Sequence, residues 1–594
     1  METVDCVVVG AGLYGLAMAK QYHCTCPEDS LVILETEATL GGTWADHRLY
    51  SGLKSNNLLG TYEYPDFPMD SDKFHVNSGE HIPGKIIHEY LKSYASHFGI
   101  DDLIQFESKV LTAEHQDGAE GGWVLTITTG RRNEITTLFA RRLVIATGLT
   151  SQPSLTRFDG QEAFGGKIFH VKEFPQNKDT IQVGKRVTVL GGSKFAWDVV
   201  YAYATAGVEV DWIIRSSGHG PCWMSPPYVT PFKRWLEKLA NTRLLTWFSP
   251  CIWGNADGYT RIRNLLHQTV VGRFFVDCFW RVLGGDVLAR MKYDSHPKTA
   301  KLKPWIGAMF AGTSFSILNY EVDFFELIKG DLVDIHISDI DYLSQGKVHL
   351  TDGAVLKSDA LVAHTGWDHK PPVKFLPEGI EHNLGLPHVL PDKEIVKKGD
   401  QHLLIEGADG EIRQRFPRLS RPPVWDHSYT PLADQNGVIA RDDNILPYML
   451  HRFMVPPSER LLRTRDIAFA GMVCNFSNPI CAHIQGLWIS AYLSGRLLHS
   501  PAAAVGEASL ISKLRYEAVL HNRFGKWRYP VDWGDKNPSF ILDAVPYLDM
   551  LLRDLGLNVY RKPGIWSEMW DPYGPDDYTT VNEEWEAAKY SATS

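Results

Sequence analysis

The sequence predicts an α/β protein built on two Rossmann-like dinucleotide-binding domains, with a helical, aromatic-rich insertion in the second. Two strand–glycine turn–helix segments, one starting near Cys6 and one near Arg186, carry that expectation. A third observation joins them. The run Phe164-x-Gly166-x3-His170-x3-Phe174 lies between the two turns. Two nucleotide turns linked by a short segment imply electrons passing from one bound group to another.

A chain of 594 residues is too long for one core and implies roughly two to four domains. Apolar content of 44% and charged content of 22% are ordinary globular values and exclude wholesale disorder. The net charge of −10, with no basic arm, argues against a nucleic-acid partner. Strand-like residues 4–9 begin without a basic or cleavable leader, so a cytoplasmic location is expected. Eight cysteines without a C-x-x-C pair fit a reducing compartment and argue against a dithiol reductase. The 18 tryptophans and 24 tyrosines suggest aromatic core first and a large aromatic-lined cavity second. No stretch is long and apolar enough to predict a transmembrane helix. Val270–Leu288 comes nearest, but Arg273, Asp277 and Arg281 recur along it opposite Val271, Phe275, Phe279 and Val282. An amphipathic helix with that apolar face on the protein body is expected, and peripheral membrane contact stays open.

Cys6-Val-Val-Val-Gly10-Ala-Gly12-Leu-Tyr-Gly15 reads as a buried strand, a glycine turn and a helix. Gly10 permits the turn, Gly12 admits a pyrophosphate, and Gly15 lets helix and strand pack closely. The next strand, Leu31–Leu34, ends in Glu35, placed to accept hydrogen bonds from a ribose diol. Gly41-Gly42-Thr43-Trp44 follows, as suits a chain passing close to a flat ring.

Together with the linking run, these segments resemble the class B flavin monooxygenases, the flavin-containing and Baeyer–Villiger monooxygenase superfamily. Fungal secondary-metabolism members are especially similar. The resemblance implies FAD at the first site, with Gly10, Gly12, Gly15, Glu35, Gly42, Thr43 and Trp44 as its contacts. Leu143-Val-Ile-Ala-Thr147-Gly148 resembles the family's turn where the chain crosses between domains. Asp466–Gly471 resembles its returning strand beside the flavin, and His483-Ile-Gln485-Gly486 the helix that follows, with Gln485 among the expected contacts.

The second turn, Arg186-Val-Thr-Val-Leu-Gly191-Gly192-Ser193-Lys-Phe-Ala196, departs from the plain motif at Ser193 and Ala196. Its following strand ends at Arg215, where the first site has an acid. A guanidinium pairs with a 2′-phosphate and a carboxylate repels it, so NADPH is expected on Gly191, Gly192, Ser193 and Arg215. Asp359–Trp367 resembles a second crossing, with His364 and Trp367 as departures. Domain boundaries follow: FAD unit 1–155 and 371–505, NADPH unit 156–215 and 331–370, insertion 216–330, and a helical extension 506–594. Residues 388–425 are expected as an exposed excursion.

No hydrolytic triad, metal cluster or Cys–His pair stands out in the sequence. The resemblance implies that NADPH reduces FAD and that O2 then forms a flavin C4a-hydroperoxide, which passes one oxygen atom to a bulky small molecule. Hydroxylation or nitrogen or sulfur oxidation suits that species. Baeyer–Villiger attack on a ketone needs a peroxide anion and a nearby cation. Asn56 stands where Baeyer–Villiger relatives carry an Asp, and Phe174 where they carry Trp, which favours the hydroperoxide. Asn56 and His170 are the candidate catalytic residues, with Asn56 also beside the flavin. His170 is expected more as a residue that fixes domain geometry than as an acid or base. An NADPH-dependent oxidase or reductase without oxygen transfer is the competing function.

Overall fold

The computed structural model describes residues 1–592 except 131, 230–233, 313, 389–399, 422–447, 532, 533, 535 and 538. Strand β1 (Glu2–Val9) enters the first glycine turn and continues as helix α1 (Leu13–Thr25), which leads to β2 (Leu31–Leu34). β3 (Lys54–Leu58) forms a separate ribbon with His81–Pro83. β4 (Ser108–His115), β5 (Trp123–Thr129) and β6 (Glu134–Ile145) form an antiparallel meander. β6 then pairs parallel with β1, and β1 with β2, so the meander and the nucleotide turn share one eight-stranded sheet. Ile467–Phe469 returns to pair with the end of β6. Val7, Val8, Leu143, Val144 and Ile145 are fully buried, as expected of central parallel strands covered on both faces.

The second sheet has five strands, all parallel. Its members are β7 (Lys167–His170), β8 (Arg186–Leu190), β9 (Glu209–Ile214), β10 (Val333–Ile337) and β11 (Ala360–Ala363), in the order β7-β11-β8-β9-β10. Helix α2 (Lys194–Thr205) follows the second glycine turn. The chain passes between the two sheets twice, and the passages are joined. Gln152–Pro153 pairs antiparallel with Trp367–Asp368, and Ser154 N–H donates to Gly366 O at 3.0 Å.

Between β9 and β10 the chain forms short ribbons and helices, including α3 (Thr260–Gln268) and α4 (Val270–Met291). The sequence places the apolar face of α4 on the body, and the structure keeps only Phe279 of it there, stacked on Phe248 at 4.8 Å. Val271, Phe275 and Val282 are exposed, while Asp277 is turned inward enough to pair with Arg418 (Oδ1···Nε 2.7 Å). The inner face is built instead from Gly272, Val276, Gly284 and Val287. The helix has two apolar faces, and a periodic pattern cannot say which of them is covered. The expected excursion at 388–425 is also corrected where it is described. Residues 389–399 and 422–425 lie outside the described residues, but Asp400–Arg415 is a helix with Ile405, Ala408 and Ile412 buried.

Helix α5 (Asn478–Leu493), buried along almost its whole length, lies on α1. Beyond it come α6 (Ala508–Arg528), which packs on Asp400–Arg415, and α7 (Ala544–Leu555). The C-terminal segment is tied to the insertion by a buried charge cluster. Arg243 donates to Asp549 at 2.5 Å, to Glu568 at 2.6 Å and to Tyr573 OH at 2.7 Å. Removing the cation would strand two buried carboxylates. Arg243→Met should therefore cost about 3–5 kcal/mol, read as a lower urea midpoint. An unchanged midpoint would show that the cluster does not hold the segment.

Candidate active site

Both glycine turns open into one cavity of about 1450 Å³. The two halves are built alike. Gly10 has φ +108°, and a Cβ there would lie 2.6 Å from Ala146 O, at the first crossing. Gly191 has φ +132°, and a Cβ there would lie 2.9 Å from His364 Cβ, at the second. In each sheet the turn is pressed against the end of the neighbouring strand, so only glycine fits.

On the first side Gly10, Gly12, Glu35, Gly42, Thr43, Trp44 and Asn56 line the cavity. Glu35 holds the turn as well as facing the site: its carboxylate accepts the N–H of Ala11 at 2.7 Å and that of Glu37 at 2.9 Å. Burial raises its pKa against the lowering effect of those bonds. Trp44 is fixed by Nε1–H donation to Tyr62 OH at 3.0 Å. Gly15 lies beneath the turn and out of the cavity, where a Cβ would fall 1.9 Å from Gly10 O. It acts on the turn through packing alone.

Gln485 is the clearest correction. It is fully buried in α5 and does not line the cavity. Its Oε1 accepts Gly471 N–H at 3.0 Å and its Nε2 donates to Tyr547 OH at 2.8 Å. Gly471 does line the cavity, so Gln485 braces the wall from behind.

On the second side stand Gly191, Gly192, Ser193 and Arg215. Ser193 Oγ and His364 Nδ1 are 3.1 Å apart, and Phe195 stacks on the His364 ring. Arg215 is exposed at the rim beyond β9, free to meet an anion. His170 is buried under the crossing and does not line the cavity. Its Nε2–H donates to Gly366 O at 3.1 Å and its Nδ1 accepts Lys172 N–H at 3.2 Å. Burial lowers its pKa to about 4. A neutral ring with both nitrogens bonded to backbone neither gives nor takes a proton, so the structure removes His170 from the catalytic candidates.

Asn56 faces the cavity from β3, whose flanks are clamped. Ser55 O accepts from Asn319 Nδ2 at 3.1 Å, Asn57 Nδ2 donates to Phe476 O at 2.9 Å, and Leu58 N–H donates to Glu237 at 3.1 Å. Burial pushes Glu237 up to about 8. A second brace centres on Asp198, which accepts from Tyr50 OH at 3.0 Å, Tyr320 OH at 2.8 Å and Lys194 Nζ at 2.5 Å. Neither Glu237 nor Asp198 stands out in sequence, because Leu58, Tyr50 and Tyr320 lie more than a hundred residues from the carboxylates they bond.

Arg48 also lines the cavity, its guanidinium 5.6 Å from the Trp367 ring. Among the described residues it has no carboxylate at ion-pair distance, and burial lowers its pKa to about 10. Among the described residues, buried polar atoms of the cavity wall that lack a partner include Thr147 Oγ1, Ser151 Oγ, His364 Nε2 and Trp367 Nε1. Such groups cost stability unless a ligand satisfies them. The donor set, the two turns and the size fit a pair of dinucleotides.

Residues 4–246 match the family model described as flavin-binding monooxygenase-like. The chain is 31% identical to the FAD-dependent monooxygenase rstn6 of Aspergillus nomiae, over 98% of both chains. It is 32% identical to the FAD-dependent monooxygenase resA of Aspergillus sclerotiorum, again over 98% of both. The chain belongs to the class B flavin monooxygenases. It is thus an oxidoreductase that uses FAD and NADPH. A closed crystal structure of cyclohexanone monooxygenase shares the fold, with a TM-score of 0.54 and 18% identity over 99% of this chain and 98% of that one.

The two inner glycines of the first turn separate folding from binding. Gly15→Ala drives a methyl into Gly10 O and should lower both the yield of folded protein and its flavin content. At Gly12 the nearest atom to an added Cβ is Gly42 Cα at 3.5 Å, which the fold tolerates. Gly12→Ala should give folded but colourless protein, read by circular dichroism and visible absorbance. Retained yellow colour would place the flavin elsewhere.

Proposed function

We propose that this monooxygenase binds FAD on the Gly10 turn and NADPH on the Gly191 turn, and oxidises a bulky small molecule at soft nitrogen, sulfur or electron-rich carbon. Domain boundaries at 1–155, 156–215, 216–330, 331–370, 371–505 and 506–594 belong to the same reading, as does a cytoplasmic protein in peripheral contact with a membrane. The observation that carries the reaction is Asn56, a neutral amide held toward the cavity by clamped neighbours where a carboxylate would support a peroxide anion. Bound FAD supplies the oxygen-activating chemistry and NADPH the hydride. The chain binds, orients and excludes water. The unpartnered N–H groups at the start of α1 meet a pyrophosphate, and Glu35 meets a ribose. Arg215 pairs with the 2′-phosphate at the rim. Trp223, Trp305 and Ile306 of the insertion close the cavity with apolar surface. Cavities for one small ligand are roughly 300–1,000 Å³, and the larger volume here suits two cofactors and a substrate.

Arg48 favours a second reading. An unpaired guanidinium on the cavity wall is the cation that Baeyer–Villiger oxidation of a ketone requires. Arg48→Met separates the two: ketone oxidation should vanish with it, whereas heteroatom oxidation should survive.

Rapid mixing of reduced, NADP+-bound protein with O2 tests oxygen transfer itself. A long-lived absorbing transient, and products heavier by one oxygen atom, are expected. Immediate reoxidation with stoichiometric hydrogen peroxide would identify an oxidase instead. For the coenzyme, Arg215→Ala should raise the KM for NADPH by about tenfold to a hundredfold, the worth of a charge-assisted bond, and leave that for NADH unchanged. Equal effects on both would contradict the 2′-phosphate contact.

A further inference from the structure

The face of α4 turned to solvent is its more apolar one. Val270, Val271, Phe274, Phe275 and Val282 are 54–76% exposed. At about 3.6 residues per turn they fall within an arc of roughly 140°, together with Cys278, Gly285 and Ala289. Leu265 on α3 extends the patch at 59% exposure. Single exposed apolar side chains are ordinary, but a continuous helical face of them marks a contact surface. The helix cannot cross a bilayer, because its other face is packed into the protein: Val276 and Val287 are buried, and Trp280 Nε1–H donates to Phe248 O at 2.9 Å.

The charge around this face identifies its partner. From Thr260 to Lys292 the surface carries Arg261, Arg273, Arg281, Arg290 and Lys292 against only Asp277 and Asp286, Arg263 being buried and paired with Asp257. Both acids are already paired, with Arg418 and Arg290. A cationic patch on a protein of net charge −10 is a local reversal of sign. Arg261 and Arg281 are exposed beside the apolar residues, which is the arrangement of an interfacial helix: aromatic and aliphatic side chains enter the acyl boundary while basic ones meet phosphates. A second copy of the chain fits less well, since a two-fold contact would set the same cationic face against itself.

We propose that α3 and α4 form a docking surface for an anionic phospholipid bilayer. This rests on the peripheral contact named above and specifies its site and its lipid chemistry. The surface lies one layer from the cavity. Gly284 brings α4 against Ala308 and Trp223, and Trp223 lines the cavity wall. Docking there would put the substrate side of the insertion at the membrane, where a bulky apolar substrate is concentrated.

The flavin-loaded full-length protein should co-float with phosphatidylcholine vesicles containing about a third phosphatidylserine, and at least several-fold less with pure phosphatidylcholine. F274D/F275D should cut flotation by about tenfold, and R261Q/R281Q should remove the preference for phosphatidylserine. Wild-type protein that stays off both kinds of vesicle would overturn the proposal, as would undiminished flotation of F274D/F275D. Two other outcomes would also overturn it. One is a lower melting temperature of F274D/F275D without vesicle binding, which means the face is packed by the chain itself. The other is a concentration-dependent dimer lost in that variant, which means a second copy covers it. Flavin content and anaerobic reduction by NADPH, measured on the same samples, report on the enzymatic reading separately, because flotation needs neither.

Discussion

The structure depends on one joint, the antiparallel pairing of the two passages between its sheets. Gln152–Pro153 lies against Trp367–Asp368, and Thr365 Oγ1 donates to Ser154 O at 2.5 Å. Lys172 Nζ reaches Ser151 O at 2.7 Å, and His170 bonds Gly366 O. Each passage continues from the strand end against which a glycine turn is pressed, so the joint fixes how the two turns face each other. A cavity holding two cofactors at reacting distance needs that relation held closely, since small displacements of reacting groups cost large factors in rate. The position of His170 explains the spacing of the Phe164–Phe174 run without a chemical role. Phe164 and Phe174 are core residues on either side, and the imidazole between them secures the crossing.

Around the joint the cavity wall combines over-braced and under-satisfied groups. β3 is clamped by Asn319, Phe476 and Glu237, and α2 is held to Tyr50 and Tyr320 through Asp198. These bonds leave Asn56 little freedom and keep the reacting region rigid before anything binds. Thr147, Ser151, His364 and Trp367 each carry a buried polar atom without a partner. Lowering the pKa of His364 to about 3, burial keeps that ring neutral. The wall is thus preorganised for polar ligands, and binding relieves its unsatisfied groups.

Much of this was legible in the sequence because dinucleotide turns are local. Strand, glycines, helix start and terminal acid or base fall within some thirty residues, and every expected contact in the two turns lies on the cavity wall except Gly15, which acts through packing. Elsewhere the signal failed for identifiable reasons. Gln485 sits one helix behind the wall, a distance no motif encodes. The braces at Glu237 and Asp198 join residues far apart in the chain. Helix α4 is apolar on both faces, so Val271, Phe275 and Val282 face solvent where the pattern set them inward, while Arg281 is exposed as the pattern has it. The helix at Asp400–Arg415 was hidden by a polar composition that buries only a narrow Ile405–Ala408–Ile412 stripe. Trp123, Trp197, Trp212 and Trp488 serve as core, while Trp44, Trp223, Trp305 and Trp367 face the cavity.

That one cavity serves both dinucleotides is the central claim, and it is open to a direct kinetic measurement. When flavin-loaded protein is mixed anaerobically with saturating NADPH, the visible absorbance of the oxidised flavin should fall in a first-order process whose rate is independent of protein concentration. Such behaviour means hydride passes within one molecule, across the cleft between the Gly10 and Gly191 turns. A rate that grows with protein concentration, or a flavin that bleaches only when a separate reductase is added, would contradict the shared cavity.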